Sequence, residues 1–425
     1  MTIEANTPAP LEEKNSPLAW SQFDTHWTLT LFGTAVGAGI LFLPINAGLG
    51  GFWPLVLLTL LVAPMTYLSH LGLCRFMLAS TKPGSTMTEV VTEHFGAQAG
   101  KLITLLYFLA IYPILLIYGV GVTNTLDSFI QHQLGVVAPP RALLALMAIS
   151  LLILMMQISE AWILKITTWL VYPLVMILAA LSCYLIPYWR TELLYQIPTL
   201  AHFSSTVWLT MPLLVFAFNH SPAISYFASA QQRRYGQQAD YRARQILKRT
   251  AIILLLFVMF FVFSTVLTLT PESLKLAKQQ NLSILSFLAN QHNAPVLSYL
   301  GPIVALLAIV SSFFGHYQGA REGLKGLVAL GLSGGIQPAR QSHFDRGITT
   351  FFLLSLWGVA VLNPSILGMI ESLSGPVIAL ILFIMPVYAR YRVPALQRYL
   401  DKRWDSFIVM MGGIAISALL YTLIR

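Results

Sequence analysis

The chain has 425 residues, of which 56% are hydrophobic and only 10% are charged, and its mean hydropathy is +0.72. A soluble domain carries about 25% charged residues, so the composition excludes a soluble globular protein and indicates a polytopic membrane protein. The formal net charge is +9, and the basic residues concentrate between apolar stretches, where membrane topology explains them better than nucleic-acid binding. We therefore expect a surrounding lipid bilayer and no nucleic-acid partner.

A membrane-spanning helix needs about 20 mostly apolar residues, and eleven stretches of this sequence qualify. The predicted spans are 28–49, 53–79, 101–131, 140–157, 162–187, 206–230, 248–270, 295–320, 347–363, 365–389 and 405–424. Residues 1–27 are polar and are predicted to form a cytoplasmic tail. If the spans then alternate, 20 of the 25 Lys and Arg residues face the cytoplasm, as the positive-inside rule requires, and the C-terminus lies outside.

The first predicted span is interrupted by a run of small residues, Gly33-Thr34-Ala35-Val36-Gly37-Ala38-Gly39. Glycine weakens a helix, and a break here would expose the amide groups that begin the outer half-helix. These groups carry a partial positive charge and can bind a carboxylate, so Gly37, Ala38, Gly39 and Ile40 are predicted substrate-binding residues. The alternative is a small-residue face for tight packing against another helix.

The sixth predicted span is interrupted by Phe218-Asn219-His220-Ser221-Pro222. Proline removes a backbone donor, and this polar run is a poor packing motif. Irregular backbone at membrane depth is tolerated only where it is buried in protein or lines a polar cavity. Two such interruptions at corresponding positions in two halves of a chain are typical of the substrate site of a secondary transporter.

Five stretches carry a family resemblance: GTAVGAGILFLPINAG, ITLLYFLAIYP, VFAFNHSPAISYFA, FFGHYQGAREG and LNPSILGMIE. Together they resemble the bacterial hydroxy and aromatic amino acid permease family of the amino acid–polyamine–organocation superfamily, and most of all its serine and threonine transporters. The likeness extends from about Trp27 to the last predicted span. It implies amino acid uptake across a bacterial inner membrane, driven by a co-transported cation, with no other cofactor.

The resemblance also implies a fold. Residues 28–187 and 206–389 would form the two five-helix halves of the inverted repeat found in the leucine transporter, with helices 1 and 6 broken. Residues 405–424 would add an eleventh helix. The C-terminus would then lie in the periplasm. The sequence is silent on the oligomeric state.

Roles for single residues follow from the same resemblance. Phe218, Asn219, His220 and Ser221 would meet the amino group and side chain of the substrate, and Tyr112 would close over it. The carbonyl groups of Gly33 and Val36 would face a cation beside helix eight. An alternative for Tyr112 is a core aromatic residue.

The coupling ion stays open between H⁺ and Na⁺. The serine and threonine permeases that the chain resembles carry a lysine on helix eight, where this chain has Ser311-Ser312. Hydroxyl oxygens suit a hard cation, so Gly33, Val36, Ser311 and Ser312 form a candidate Na⁺ site. The alternative is that both serines are small interface residues.

Two ionisable residues inside the predicted spans are candidates for coupling. Charge within a membrane is costly, so Glu371 in the tenth span is a candidate for titration or gating. Histidine changes its charge near neutral pH, which makes His220 a candidate for proton contact. The overall prediction is a cation-coupled symporter of a small hydroxy amino acid. The alternatives are a symporter of another neutral or aromatic amino acid, a membrane-embedded enzyme, or a passive channel.

Overall fold

The computed structural model describes residues 19–158, 160–291, 295–331 and 341–424, and every regular element within these ranges is helical. The helices are α1 (Gln22–Ala35), α2 (Ala38–Leu49), α3 (Phe52–Leu78), α4 (Met87–His132), α5 (Arg141–Met155), α6 (Glu160–Leu185), α7 (Leu200–Ala217), α8 (Ile224–Tyr235), α9 (Ala239–Thr268), α10 (Pro271–Gln279), α11 (Ile284–Gln291), α12 (Pro295–Gly331), α13 (Gln341–Leu362), α14 (Ile366–Arg392) and α15 (Lys402–Ile424). The prediction of an all-helical polytopic membrane protein is confirmed.

In the described ranges, eight helical stretches are long and apolar enough to span a membrane, or nine if the bent pair α1 and α2 counts as one span. The sequence predicted eleven spans. The difference has two sources. Residues 200–268 count as one stretch although they contain two predicted spans. Helix α5 has 15 residues, about 22 Å at 1.5 Å per residue, which is shorter than the hydrocarbon core.

The first helix begins at Gln22, six residues before the predicted span. Ser21 and Asp24 form a capping box in which the backbone N–H of Ser21 donates to the Asp24 carboxylate at 2.8 Å. The same carboxylate accepts a hydrogen bond of 2.6 Å from the Tyr235 hydroxyl. The start of α1 is thereby fixed to the end of α8, and of the predicted tail only residues 1–18 lie outside the described ranges.

The first interruption lies at Val36 and Gly37, where α1 ends and α2 begins with a bend of 52°. Helix α12 packs against α1, α2 and α4, so it passes beside this interruption. A β-carbon on Gly37 would lie 2.6 Å from the Ser312 hydroxyl oxygen and 2.7 Å from the Tyr118 hydroxyl oxygen. Only glycine allows this close approach.

The second interruption begins at Phe218, where α7 ends, and continues to a 3₁₀ turn at residues 221–223 that leads into α8. The Asn219 side-chain carbonyl accepts a hydrogen bond of 3.0 Å from the Ser221 N–H, a local bond that competes with the helix. Pro222 lacks an N–H group and disfavours helical backbone in the residue before it. The residues that predicted this interruption therefore also cause it.

Candidate substrate site

The two interruptions meet at the start of α2 and the end of α7. A β-carbon on Gly39 would lie 2.5 Å from the Ala217 Cα and 2.7 Å from the Phe216 ring. Gly39 is therefore required for helix contact, which is the packing role that the sequence left as an alternative. Its amide, with those of Ala38 and Ile40, begins α2 and has no acceptor within that helix.

Three residues of the predicted cation site, Gly33, Ser311 and Ser312, lie where α12 contacts α1. The Ser312 hydroxyl donates a short hydrogen bond to the Thr34 carbonyl. The Ser311 hydroxyl lies 3.5 Å from the Gly33 carbonyl oxygen and 3.1 Å from that of Ala308 on its own helix. Thus α12 contacts the last turn of α1 through two serine hydroxyls. The carbonyl that accepts from Ser312 is that of Thr34, in addition to the carbonyls of Gly33 and Val36 that the resemblance implied for the cation.

Tyr118 was missed by the sequence analysis and lies at the first interruption. Its hydroxyl is 2.6 Å from that of Ser312, and both are buried. Because the Ser312 hydroxyl has one hydrogen and donates it to Thr34, Tyr118 must donate to Ser312. Two successive hydrogen bonds therefore join α4 to α12 and α12 to α1.

Tyr112, the predicted closing residue, has different neighbours. Its half-buried ring stacks on Phe108 at 4.9 Å, Phe351 at 5.4 Å and Phe352 at 5.9 Å between ring centroids. None of these residues belongs to an interruption. A separation of six residues rotates Tyr112 by about 120° around α4 from Tyr118, so the two side chains face different neighbours.

Two histidines stack at the second interruption. The rings of His70 and His220 lie 3.5 Å apart with an interplanar angle of 9°. The His220 backbone N–H donates to His70 Nε2 at 3.1 Å, and His70 Nδ1 lies 2.7 Å from the Thr66 carbonyl oxygen. Because Nε2 accepts and a carbonyl cannot donate, the proton of the neutral His70 ring is assigned to Nδ1.

Two polar atoms of the second interruption have no protein partner within the described ranges. His220 Nδ1 lies 3.2 Å from the Phe218 carbonyl oxygen and therefore donates to it, which leaves His220 Nε2 as a buried acceptor. Asn219 Nδ2 is a buried donor, likewise without a partner. Buried polar groups are nearly always hydrogen-bonded, so this pair is chemically suited to a ligand with both a donor and an acceptor.

The hydrogen bond of Glu371 joins it to α2 and not to the serines of α12. Its carboxylate accepts a hydrogen bond of 3.0 Å from the Asn46 side-chain amide of α2. It lies in a widened turn of α14 at residues 370–374, which has π-helical geometry. Glu371 therefore connects α14 to the half-helix that follows the first interruption.

A further buried carboxylate, Glu322 of α12, was also missed. It accepts hydrogen bonds from the Met87 N–H at 2.6 Å and the Ser225 hydroxyl at 3.0 Å. Met87 is the first residue of α4, whose N-terminus carries partial positive charge. One carboxylate thus holds together α12, α4 and the half-helix α8. The sequence signal was the lone acidic residue in the FFGHYQGAREG stretch.

A cavity reaches the first interruption from the end of the molecule at which α1 begins. Its lining comes from both interrupted helices and from α6 and α12: Trp27, Thr30, Thr34, Thr167, Ala223, Tyr226, Arg233, Phe314, Gly315 and Gln318. A neighbouring cavity shares Trp27 and Thr30 with it. A cavity therefore leads to the first interruption from one side. No cluster of three or more His, Cys, Asp or Glu residues that could hold a metal is found in the described part of the chain.

Comparison with known proteins identifies related permeases. The sequence pattern of the Tryptophan/tyrosine permease family matches residues 26–424. The chain is 50% identical to the serine transporter SdaC of Escherichia coli K12 over 427 residues, which cover 99% of this chain and 100% of that protein. It is 38% identical to the threonine/serine transporter TdcC of Edwardsiella tarda over 428 residues, which cover 95% of this chain and 96% of that protein.

Proposed function

The chain belongs to the tryptophan/tyrosine permease family, and from this membership we propose that it imports serine or threonine together with a cation. As a member of a permease family whose relatives are transporters, it is a multi-pass membrane protein and not an enzyme. The resemblance to the hydroxy and aromatic amino acid permeases is confirmed. The names of the relatives support a small hydroxy amino acid as the substrate.

The observation that carries the proposal is the pair of facing helix interruptions with unsatisfied polar groups. The substrate carboxylate would accept hydrogen bonds from the amides of Ala38, Gly39 and Ile40. Its ammonium group would donate to His220 Nε2, and its hydroxyl would accept from Asn219 Nδ2. A zwitterion with a hydroxyl side chain supplies the donor and the acceptors that these groups need.

The proposed Na⁺ site lies beside the first interruption. Ser311 and Ser312 would turn their hydroxyl hydrogens away from the α1 carbonyls, so that hydroxyl and carbonyl oxygens ligate one ion together. The contacts of both hydroxyls with the carbonyls of Gly33 and Thr34 support this arrangement. In the proton-coupled form of the proposal, the same hydroxyls stay hydrogen-bonded and a titratable residue carries the proton.

The proposed transport cycle is alternating access in an eleven-helix inverted-repeat fold. Dividing residues 200–268 near Gly236 and counting α5 as a span brings the number of spans to eleven. The predicted helices 1, 2, 6 and 7 would rock against helices 3, 4, 8 and 9. The cavity along α1 would be the cytoplasmic exit, in a bacterial inner membrane with the N-terminus inside. The Glu322–Ser225 bond crosses these two groups and would break on full inward opening.

The proposal is tested by uptake of radiolabelled L-serine into proteoliposomes of the purified protein. We expect accumulation above the external concentration under an imposed inward gradient of either Na⁺ or H⁺, and collapse of that accumulation by the matching ionophore. Competition by threonine, tyrosine and tryptophan separates a hydroxy amino acid carrier from an aromatic one. Uptake that only equilibrates would indicate a passive channel, and the proposal would fail.

Replacing His70 with leucine is expected to raise the KM for serine about tenfold, because the His220 N–H then has no acceptor and the interruption loses its geometry. His70→Gln should retain much of the wild-type affinity, since its carbonyl oxygen can accept the same bond. His343→Leu, at an exposed histidine of α13, is the control. Equal KM values in all four proteins would show that His70 does not position the site.

A further inference from the structure

A third cavity, distinct from the substrate site, lies where the ends of four helices meet. It has a volume of about 490 Å³ and is lined from α3, α9, α14 and the segment that leads into α15. Its charged and aromatic lining residues are Arg75, Arg244, Arg390, Arg398, Asp401, Tyr67, Tyr399 and Trp404. Because α3 and α14 end here and α15 begins here, the cavity lies at the level of a membrane–water interface.

Two of the four arginines are already neutralised by carboxylates. Arg75 donates to Asp240 at 2.8 Å, with its guanidinium 4.0 Å from the centre of the Tyr399 ring. Arg390 is buried and forms an ion pair with Asp405. These pairs form a charge-balanced inner wall.

The other two arginines contact aromatic side chains. Arg244 donates to the Tyr67 hydroxyl at 3.3 Å, and Arg398 lies over Tyr399 at 4.8 Å from the ring centre. Neither has a carboxylate within 4.0 Å among the residues that the structure describes. The Asp401 carboxylate accepts from the backbone N–H groups of Arg403 and Trp404 and so caps α15. Arg244, Arg398 and Asp401 together leave one excess positive charge at the mouth of the cavity.

The remaining lining is apolar. Pro64, Leu68 and Leu71 of α3 form one wall, and Trp404 is 47% exposed beside them. Tryptophan at such a position is typical of the interface between lipid and water. A soluble anion would use the arginines but leave this apolar wall uncovered, whereas a phospholipid covers it with an acyl chain.

We propose that this cavity binds an anionic phospholipid, with its phosphate between Arg244 and Arg398 and one acyl chain along α3. Guanidinium groups bind phosphate through paired N–H donors, and basic pockets between helix ends are suited to anionic head groups. The lipid would join α3, α9 and the entry to α15 at one surface. The inference is independent of the substrate and of the coupling ion.

The test is a titration of the purified protein with phosphatidylglycerol or phosphatidylcholine, followed by native mass spectrometry. We expect tighter binding of phosphatidylglycerol, weakened about tenfold or more in the double variant Arg244→Gln/Arg398→Gln, because each arginine near an anionic surface contributes separately. Arg346→Gln, at an exposed arginine of α13, is the matched control and should bind as the wild type does. The thermal midpoint of each variant in detergent establishes that it is folded.

Two outcomes would overturn the inference. Equal affinity of the double variant and the control for phosphatidylglycerol would show that the cavity does not hold the head group. Displacement of the lipid by millimolar inorganic phosphate would show that the cavity is a site for soluble anions. The double variant Arg244→Lys/Arg398→Lys keeps the charge and should bind more tightly than the glutamine variant but less tightly than the wild type, because lysine lacks the paired donors.

Discussion

Replacing Gly39 with alanine is expected to reduce serine uptake at least tenfold. The added β-carbon would lie 2.5 Å from the Cα of Ala217, a backbone atom that cannot move aside as a side chain can. Over-packing of this kind costs about 1–3 kcal/mol, and the strain falls directly on the second interruption. Relief by separation of α2 from α7 would also displace the amides of α2 from Asn219 and His220. Uptake into proteoliposomes measures the effect.

Gly358→Ala and Gly413→Ala are the matched controls, because a β-carbon at either position meets no atom within 4 Å. Both should transport as the wild type does. Equal amounts of each protein in the membrane must be verified before the rates are compared. Wild-type uptake by Gly39→Ala would mean that close contact between the two interruptions is unnecessary for transport.

Replacing Ser312 with alanine is expected to have the second largest effect. The change removes the donor to the Thr34 carbonyl and the acceptor of the Tyr118 hydroxyl, and leaves both groups buried. An unsatisfied buried polar group costs about 1–3 kcal/mol, so we expect a lower thermal midpoint and at least tenfold slower uptake. If Na⁺ is the coupling ion, Ser311→Ala/Ser312→Ala should also lose Na⁺ stimulation of serine binding.

The control for Ser312 is Ser372→Ala in α14, since the Ser372 hydroxyl donates to the Gly368 carbonyl of its own helix at 2.6 Å. This variant should retain both uptake and Na⁺ stimulation. Retention of Na⁺ stimulation by the double serine variant of a Na⁺-coupled protein would place the ion elsewhere. Serine uptake driven by pH alone in the wild-type protein would exclude the Na⁺ site.

The positions of the two interruptions could be predicted because their causes are local. Gly37 leaves the helical backbone conformation at the first, and Asn219 and Pro222 disrupt the helical hydrogen bonds of the second. The sequence also proposed Gly33 and Ser311 for one cation site, and the Ser311 hydroxyl lies 3.5 Å from the Gly33 carbonyl oxygen. Local chemistry and family motifs are what a single sequence conveys best.

Contacts between distant helices could not be predicted. His70 accepts a hydrogen bond from His220, which lies 150 positions away in the chain. Glu322 accepts one from Met87, which lies 235 positions away. Hydropathy also missed the short helical segment at residues 87–95, which begins with a capping box at Thr86 and is separated from the apolar part of α4 by non-helical backbone at Gly96. A search for apolar stretches detects a helix long and apolar enough to span a membrane and not a short helical segment that precedes it.

In the proposed transport cycle, an amino acid binds between the two helix interruptions. A structure of the protein determined with L-serine tests this claim most directly. We predict ligand density with its carboxylate at the amides of Ala38–Ile40 and its amino group near His220. Serine bound elsewhere, or helices that run uninterrupted through residues 36–37 and 218–220 in the bound state, would contradict it.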